Sequence, residues 1–285
     1  MSNKQILENI KKLRELTGVG FKDCKLAIEE NNGDLEKSIE FLRKKGIAKA
    51  SKKMSRTASE GLVLTCEKSG EVSIIEINSE TDFVAKNKDF IKFVEDVSKL
   101  TLKKSGKIND VLNSNMENNK SVKDNLVNLI SKIGEKITIR RTKFFNNKGG
   151  KNYFYIHSAV EKNVGKIISI VKILNNEDKE LGQKIAMHIA ASSPLAIDEK
   201  GLEKETIDKE LEIIKAELIN SGKKGDIAEK ISKGKINKFI SENTLLNQIW
   251  IMDPKKKVSD ILKEHKKSDD IKIINFVRFK VGEGV

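Results

Sequence analysis

The side chains that most often perform chemistry in proteins are few in this sequence and stand far apart. The three histidines, His157, His188 and His265, lack the spacing of metal ligands. The two cysteines lie in separate segments. No phosphate-binding loop of the form G-x-x-x-x-G-K-[ST], no nucleophile elbow and no paired-carboxylate motif occurs. The sequence therefore favours a binding protein over an enzyme and predicts no catalytic residue, metal or cofactor.

His188 is the histidine with the most apolar surroundings. It lies in the stretch IAMHIAAS, which has the pattern of a mostly apolar helix. A hydrogen-bonded core histidine is a more common outcome in such a position than a ligand. We therefore expect His188 to be buried and satisfied.

One short polar stretch carries an aromatic residue in an unusual place. SETDFVAKN (79–87) follows the apolar run VSIIEIN, and Phe83 stands beside Asp82 where a strand gives way to a helix. Threonine and aspartate are favoured at helix N-caps. The residues alone therefore predict that Thr81 or Asp82 caps the helix, and they favour a core position for Phe83 over an exposed one.

Three short helices are predicted in the first 45 residues. Apolar residues recur at helical spacing, and the stretches TGVG (17–20) and NNG (31–33) interrupt the pattern. A unit this small buries little surface and is a plausible docking module. Residues 46–60 are basic and rich in alanine and serine, and we interpret them as a helix tail and linker.

The rest of the chain shows a weak internal duplication. Each copy is predicted to contain a two-stranded hairpin, a helix, a helical connection and a third strand. The first copy (61–150) has its strands at 61–67, 71–78 and 136–145 and its helices at about 81–100 and 121–133. The second copy (151–285) has its strands at 153–159, 166–174 and 271–281 and its first helix at about 178–191. The pattern predicts an α+β fold of two similar subdomains, each an antiparallel sheet with helices on one face.

The second copy carries an insert that the first copy lacks. Residues 203–240 show helical spacing on both sides of SGKKG (221–225), which predicts a helical hairpin. A hairpin that projects from a subdomain either reaches a partner or decorates the surface. The sequence leaves these two alternatives open.

The charge of the chain is strongly positive but carried mostly by lysine. The net charge is +13, and only six of the 55 basic residues are arginine. Bidentate phosphate or base recognition favours arginine, so a solvated lysine-rich surface is favoured over a nucleic-acid surface.

The longest apolar stretch, IISIVKIL (167–174), is too short to span a bilayer. The N-terminus has no signal-peptide core, so we expect a cytoplasmic protein.

Several longer stretches resemble one known family over essentially the whole chain. LRELTGVGFKDCKLAIEENNGDLEKSIEFLRKKG resembles a ubiquitin-associated-like module, and INSETDFVAKN resembles the signature loop of the elongation factor Ts family. Further motifs occur in the family's order and at similar spacing: KIGEKITIRR, YIH, KIAMHIAASSP, IMDPKKKVSDILKEH and FVRFKVGEG. The family comprises nucleotide exchange factors for elongation factor Tu. The resemblance implies a three-helix N-terminal domain, two similar core subdomains and a protruding helical hairpin.

The resemblance also implies a role for the TDFV motif, which here is Thr81, Asp82, Phe83 and Val84. In the family, the phenylalanine of this motif wedges into the nucleotide-binding domain of elongation factor Tu. The wedge shifts elements that hold Mg²⁺ and loosens the site of the β-phosphate. On this basis Phe83 is expected to be an exposed anchor, while Thr81 or Asp82 still caps the helix.

Other family contacts carry over to positions outside this motif. Ile133, Gly134 and His157 match positions that line the same interface, although alone Ile133 suggests a core residue and Gly134 a helix stop. The turn of the N-terminal module is implied to make a second contact, through Arg14, Val19, Gly20 and Phe21. Phe21 stands where the family often has a residue like methionine.

The resulting expectation is an exchange factor that makes and breaks no covalent bond and is not an enzyme. Its implied partner is elongation factor Tu, both GDP-bound and nucleotide-free, with self-association through the helical hairpin or the C-terminal subdomain. No membrane and no specific nucleic acid is expected. One alternative is a basic nucleic-acid or ribosome-binding protein, whose binding would weaken steeply with salt. The other is a docking protein that works through residues 1–54.

Overall fold

The computed structural model describes residues 3–17, 19–222, 225–265 and 271–285. Its helices are, in chain order, α1 (Asn3–Thr17), α2 (Phe21–Glu30), α3 (Leu35–Lys53), α4 (Asp82–Ala85), α5 (Lys88–Lys103), α6 (Ile108–Leu112), α7 (Val122–Ile133), α8 (Lys179–Ser192), α9 (Lys204–Asn220), α10 (Gly225–Asn243) and α11 (Val258–Glu264). Its strands are β1 (Glu60–Lys68), β2 (Glu71–Ser79), β3 (Ile137–Phe145), β4 (Lys151–His157), β5 (Val164–Gly165), β6 (Ile167–Leu174), β7 (Ile249–Trp250), β8 (Asp253–Lys257) and β9 (Lys272–Lys280). Three N-terminal helices followed by antiparallel sheets with helices confirm the predicted α+β fold.

The two halves of the core place their three main strands in the same order. In the first half β2 lies between β1 and β3, and in the second half β6 lies between β4 and β9, with every pair antiparallel. The central strands also match in sequence, since VSIIEI (72–77) corresponds to ISIVKI (168–173). Both shift register against the third strand at the same position, after Glu76 and after Lys172. The predicted similarity of the two subdomains is confirmed.

Side chains that alternate along these strands build two kinds of core. One face of each sheet packs against helices: Ile75 and Ile77 lie in a cluster with residues of α5 and α7, and Val171 and Ile173 in a cluster with residues of α8. The other faces of the two sheets pack against each other through a third cluster, whose buried residues are Val63, Val72, Ile74, Phe145, Ile168, Ile170 and Phe279. Because successive strand residues point to opposite faces, two apolar-rich strands serve both cores. The result is a layer of helices, two sheets and a second layer of helices.

Turn and cap residues set where the elements begin and end. Ser69 and Gly70 connect β1 to β2 with φ values of 55° and 79°, as a two-residue hairpin turn with positive φ at both positions requires. Asp178 caps α8, because its Oδ1 accepts hydrogen bonds from Glu180 N at 2.8 Å and Leu181 N at 3.2 Å. These turn and cap residues explain the sharp ends of strands and helices whose interiors are apolar.

The N-terminal module has its own small core and is joined to the first half by its last helix. Buried residues from α1, α2 and α3 form this core, namely Ile10, Leu13, Cys24, Ala27, Ile28 and Leu42. Helix α3 continues into the region interpreted as a helix tail and linker, and Ala50 is buried in the core of the first half. Arg43 Nη2 also lies 2.8 Å from Asp124 Oδ1 of α7. The described contacts of α3 therefore link the module to α7, while the domain boundaries stay a prediction.

The position before the register shift carries a buried charge in both halves, with opposite sign. Glu76 is fully buried, and its carboxylate accepts hydrogen bonds from Arg140, Arg141, Asn78 and the backbone N–H of Gly282. Burial acts to raise the pKa of Glu76, but these hydrogen bonds outweigh it and hold the pKa below its usual value. The carboxylate is therefore charged and paired with two guanidinium groups.

Lys172 occupies the equivalent position in the second half and has different partners. Its Nζ donates to Asn146 Oδ1 at 2.6 Å and to the carbonyl oxygen of Lys148 at 2.8 Å. Burial lowers the pKa of Lys172. In the described part of the chain no carboxylate lies within 4.0 Å of this ammonium group, so neutral oxygens alone compensate its burial.

His188 lies fully buried on α8, as the sequence predicts. Its Nε2 lies 3.0 Å from Gln248 Oε1, its Nδ1 accepts a hydrogen bond from Ile251 N, and its ring stacks on Trp250. Burial lowers the pKa of the imidazole. Gln248 also donates to the carbonyl oxygen of Glu242 in α10, so this polar cluster fastens the base of the helical hairpin to α8.

The insert forms the predicted helical hairpin, with α9 and α10 packed on each other. The short strands β7 and β8 come after it and have no counterpart in the sequence-based prediction. β7 has two residues and is too short to show a repeating pattern, and the five residues of β8, DPKKK, are polar or proline and do not alternate with apolar ones. Among the described residues, no helix combines the length and apolar character that a membrane span needs.

Candidate functional site

The segment that contains the TDFV motif forms a separate turn of helix rather than the start of a long one. The sequence predicts one helix from about residue 81 to 100, but α4 ends at Ala85 and α5 begins at Lys88. Asn87 causes the break, because its Oδ1 accepts hydrogen bonds from Asp89 N at 2.9 Å and Phe90 N at 3.2 Å. An asparagine cap starts a new helix with a new direction. Phe83 is therefore not on the apolar face of α5.

Phe83 points away from the core while its neighbours anchor α4. The Phe83 side chain is 77% exposed, whereas Val84 and Ala85 are buried in the core of the first half. Lys86 Nζ lies 5.9 Å from the centre of the Phe83 ring. The exposure rules out the core position that the residues alone favour for Phe83. A large exposed aromatic on an anchored turn has the character of a binding residue.

The polar residues of the motif do not cap α4 with their side chains. Thr81 stands at the N-cap position but makes no side-chain cap hydrogen bond. Its hydroxyl instead donates to Glu135 Oε1 at 2.7 Å, and its backbone N–H donates to Glu135 Oε2 at 3.0 Å. Asp82 Oδ2 lies 2.8 Å from Lys86 Nζ, and this hydrogen bond lowers the pKa of Asp82. The expectation of a side-chain cap is wrong, because Glu135 and Lys86 engage these groups.

Ile133 and Gly134 lie in the connection that Thr81 contacts. Ile133 ends α7 and packs, half-buried, against the core of the first half, while Gly134 comes next with a φ of 88° and is exposed. A Cβ built on Gly134 would meet nothing within 4 Å. Both residues have the structural roles that the residues alone suggest. Because Glu135 binds Thr81, the structure also places them beside the TDFV motif.

The sheet topology brings His157 to the same end of the core. His157 is the exposed last residue of β4 and pairs with Ile167, the first residue of β6. Lys166 Nζ, one residue earlier, lies 2.8 Å from Glu60 Oε2 at the start of β1. Glu60 in turn pairs with Ser79, the last residue of β2 before the TDFV motif. Phe83, Gly134 and His157 therefore belong to one end of the two sheets.

The predicted contact residues of the N-terminal module lie at and around the turn between α1 and α2, with Arg14 in the last turn of α1 and Phe21 as the first residue of α2. Gly20 is the N-cap of α2, and its carbonyl oxygen accepts hydrogen bonds from two backbone N–H groups of that helix. Arg14 and Phe21 are exposed, while Val19 packs on the core of the module. A cleft of about 390 Å³ separates Thr17 at this turn from residues of α5 and α7, including Asp89, Asn128 and Lys132. The turn therefore flanks the first half beside α5.

Two glutamates of the site had no signal in the sequence. Glu135 binds Thr81, and Glu80 Oε1 accepts a hydrogen bond from Lys136 N at 2.5 Å. Glu80 also lies 3.2 Å from Arg56 Nη1. Burial acts to raise the pKa of Glu80, but the hydrogen bonds from Lys136 and Arg56 outweigh it, so the pKa lies below its usual value. Each glutamate looks like an ordinary surface residue in the sequence, because the backbone N–H that it accepts from lies more than fifty positions away.

The described residues do not form a site for metal chemistry. In residues 3–17, 19–222, 225–265 and 271–285, no group of three or more His, Cys, Asp or Glu side chains could hold a metal ion. Both cysteine thiols are free, and burial raises the pKa of each. A thiol with a raised pKa is a weak nucleophile near neutral pH. The site consists of an exposed aromatic, backbone turns and ion pairs, as a protein-binding surface does.

Comparison with known proteins assigns the chain to a family. The family model described as Elongation factor TS matches residues 80–283. The chain is 42% identical over 279 residues to elongation factor Ts of Methylococcus capsulatus, covering 97% of this chain and 92% of that protein. It is 42% identical to elongation factor Ts of Clostridium kluyveri and 40% identical to that of Bartonella quintana. Each of these matches covers 97% of this chain and 92% of the relative.

An exposed aromatic on an anchored turn, on a core of two similar subdomains, fits a protein that binds another protein. The chain belongs to the elongation factor Ts family. Its role is that of a nucleotide exchange factor for elongation factor Tu in translation elongation.

Proposed function

We propose that this protein accelerates GDP release by inserting Phe83 into the nucleotide-binding domain of elongation factor Tu and displacing Mg²⁺. The observation that carries the proposal is the exposure of Phe83 on α4, whose other apolar residues are buried. Aromatic residues on a firm base dominate interface energetics when a partner buries them. Mg²⁺ bridges the phosphates and neutralises their charge, so its displacement weakens the hold on GDP.

The proposed mechanism needs no covalent step, and the protein is therefore an exchange catalyst rather than an enzyme. It binds elongation factor Tu carrying GDP and favours the nucleotide-free form of the partner. By linkage, a protein that weakens nucleotide binding by some factor is itself bound more weakly, by the same factor, when nucleotide is present. Incoming GTP therefore releases the exchange factor, and the cycle repeats in the cytoplasm where translation takes place.

Further contacts with the partner are proposed around Phe83. Ile133, Gly134 and His157 lie at the same end of the sheets as Phe83. The turn with Arg14, Val19, Gly20 and Phe21 would make a second contact, through a Phe21 side chain that is 47% exposed. An extended partner surface would be needed to meet both sets of residues.

The helical hairpin is proposed to take part in self-association or in a separate contact with the partner. Its apolar side chains Ile213, Ile219 and Ile227 are exposed. Exposed apolar residues on projecting helices favour contacts with another protein surface. Sedimentation of the wild type and of Ile219→Glu over a range of concentrations tests the self-association, which the substitution should weaken.

The experiment that tests the proposed exchange is the release of a fluorescent GDP from purified elongation factor Tu. We expect strong acceleration at substoichiometric amounts of this protein and its loss in Phe83→Ala. No acceleration by the folded wild type would contradict the proposal. A nucleic-acid-binding role would then be tested by RNA binding, which must weaken steeply with salt if phosphate contacts carry it.

A further inference from the structure

The loop that presents Phe83 is fastened to the connection after α7 by two carboxylates that cross between them. Glu135, from the connection, accepts hydrogen bonds from the backbone N–H and the hydroxyl of Thr81. Glu80, from the loop, accepts a hydrogen bond from the backbone N–H of Lys136. Each segment thus supplies the acceptor for a backbone N–H of the other. We call this reciprocal arrangement, formed by Glu80, Thr81, Glu135 and Lys136, the glutamate clasp.

The clasp acts on the residue that sets the direction of α4. Thr81 is the N-cap of α4, with an extended backbone conformation at φ −125° and ψ 159°. One carboxylate holds both its backbone and its side chain, through charge-assisted hydrogen bonds that are about twice as strong as neutral ones. A helix of one turn does not persist without external contacts. The orientation of α4 therefore depends on buried Val84 and Ala85 beneath it and on Glu135 at its start.

Phe83 itself has little to hold it in place. Its ring is largely exposed, and it contacts the flexible side chain of Lys86. The orientation of the Phe83 ring is therefore determined mainly by the backbone of α4. Glu135 also directly follows Ile133 and Gly134 in sequence, so the clasp fixes the position of Phe83 relative to those residues.

In the part of the chain that the structure describes, Glu135 has no second structural role that would explain its placement. Within the described part of the chain, no lysine or arginine nitrogen lies within 4.0 Å of its carboxylate. Its carboxylate oxygens are each engaged by Thr81. A surface glutamate whose hydrogen bonds all serve one neighbouring residue is well suited to positioning that residue.

We propose that Glu135 is a positioning residue for nucleotide exchange, which holds Thr81 so that α4 presents Phe83 in the orientation that enters the partner. The proposal rests on the proposed function of Phe83. Ordering a loop before binding removes the entropy loss that binding would otherwise incur. Without Glu135 the folded protein keeps Phe83 but presents it in a broader range of orientations, so fewer encounters are productive.

The test is a double-mutant cycle on the release of fluorescent GDP from elongation factor Tu. It compares the full-length wild type, Glu135→Ala, Phe83→Ala and the double variant. We expect Glu135→Ala to slow exchange about fivefold when Phe83 is present, and to change it less than about twofold in the Phe83→Ala background. A residue that acts only through Phe83 has nothing left to position once the ring is removed. Thermal unfolding of all four proteins corrects each rate for the folded fraction.

Two further variants sharpen the cycle. Thr81→Val removes the hydroxyl but keeps the backbone N–H, so it should slow exchange less than Glu135→Ala does. Glu177→Ala is the matched control, because Glu177 is an exposed glutamate in the corresponding loop of the second half, where it pairs with Lys151. It should leave the exchange rate unchanged.

The outcomes separate this inference from the proposed function. Equal slowing by Glu135→Ala in both backgrounds would overturn the positioning role, because Glu135 would then act independently of Phe83. Unchanged exchange in Glu135→Ala, with slow exchange in Phe83→Ala, would overturn this inference alone. Unchanged exchange in Phe83→Ala would overturn both.

Discussion

The two halves of the core share a central strand sequence but differ in the segment that comes after this strand. After β2, the chain forms α4 and exposes Phe83 before α5 begins. After β6, residues 175–178 are all described and form no helix, and Asp178 caps α8 directly. Counting from the matching strands, Asp82 corresponds to Asp178 and Phe83 to Lys179. The central strand is therefore followed by an ordinary helix cap, Asp178, in the second half and by the exposed Phe83 in the first half.

This difference shows where function resides in a duplicated fold. The strands, the register shifts and the helix on each sheet are common to both halves and serve the core. The proposed exchange residue lies on α4, which has no counterpart after β6 in the described residues 175–178. The helical hairpin of α9 and α10 is likewise particular to the second half. Substitutions at matched positions in the two halves therefore separate structural roles from functional ones.

The largest contrast is expected at the buried charges before the register shifts. Glu76→Ala leaves Arg140 and Arg141 without their carboxylate, and breaking a buried ion pair destabilises a protein by about 3–5 kcal/mol. Lys172→Met removes a buried ammonium that has neutral partners in an exposed loop, so the change in unfolding free energy should stay below about 1 kcal/mol. Urea unfolding of both variants measures the difference. Equal destabilisation would show that the two charges are structurally equivalent.

The next contrast concerns exchange rather than stability. Phe83→Ala removes a proposed interface anchor, and hot-spot aromatics contribute about 2 kcal/mol or more, so exchange should slow about 30-fold. Its unfolding free energy should change by less than about 0.5 kcal/mol, because the ring is exposed. Lys179→Ala, at the matching position, should leave exchange unchanged. A large loss of stability in Phe83→Ala with normal exchange per folded molecule would instead assign the ring to the core.

Lowering the pH should affect the two halves in different windows. The pKa of His188 lies below 6.5 in the folded protein, so the unfolded state binds the proton first and stability is lost as pH falls below about 6.5. The pKa of Glu76 lies below 4.5, so its contribution is present above that pH and lost at lower pH as the folded carboxyl becomes protonated. In His188→Gln, the loss of stability between pH 7 and 5 should be shallower by up to about 1.4 kcal/mol per pH unit. If the unfolding free energy of His188→Gln falls with pH as steeply as that of the wild type, His188 is not the source of this pH dependence.

The smallest contrast is expected at the two matching aspartates. Asp178 is a helix cap, so Asp178→Ala should destabilise the protein by about 1 kcal/mol. Asp82 pairs with Lys86 at an exposed position and caps nothing, so Asp82→Ala should leave stability at the wild-type value within error. Chemical unfolding of the two variants measures this difference. Abolished exchange in folded Asp82→Ala would indicate that the carboxylate contacts the partner directly.

Sequence periodicity was sufficient for the elements whose residues repeat over many positions. The three main strands of each half, the helical hairpin and the apolar helix that carries His188 can be predicted from apolar spacing, since each has a regular pattern over seven or more residues. The break between α4 and α5 cannot, because one side chain, Asn87, creates it. The spacing of Phe83 and Phe90 fits a continuous helix, and an asparagine in its interior gives no clear signal.

Only part of the candidate site can be predicted from the sequence. The resemblance of the TDFV motif indicated that Phe83 is exposed, whereas composition and spacing favoured the core. The glutamate clasp depends on contacts between residues more than fifty positions apart. Such contacts are set by how the β2 and β3 ends meet in the sheet, which no local pattern contains.

The hydrogen bond from Gly282 N–H to Glu76 has a consequence for the order in which the molecule is completed. The two residues are 206 positions apart, and Gly282 lies just after the last strand. During synthesis the first half is made before Gly282, so its buried carboxylate lacks one of its donors until Gly282 has joined the chain. The sheet of the second half is likewise incomplete until β9 has been synthesised and pairs with β6. The nascent chain therefore completes the hydrogen bonds of Glu76 only after Gly282 has been synthesised, 206 residues later.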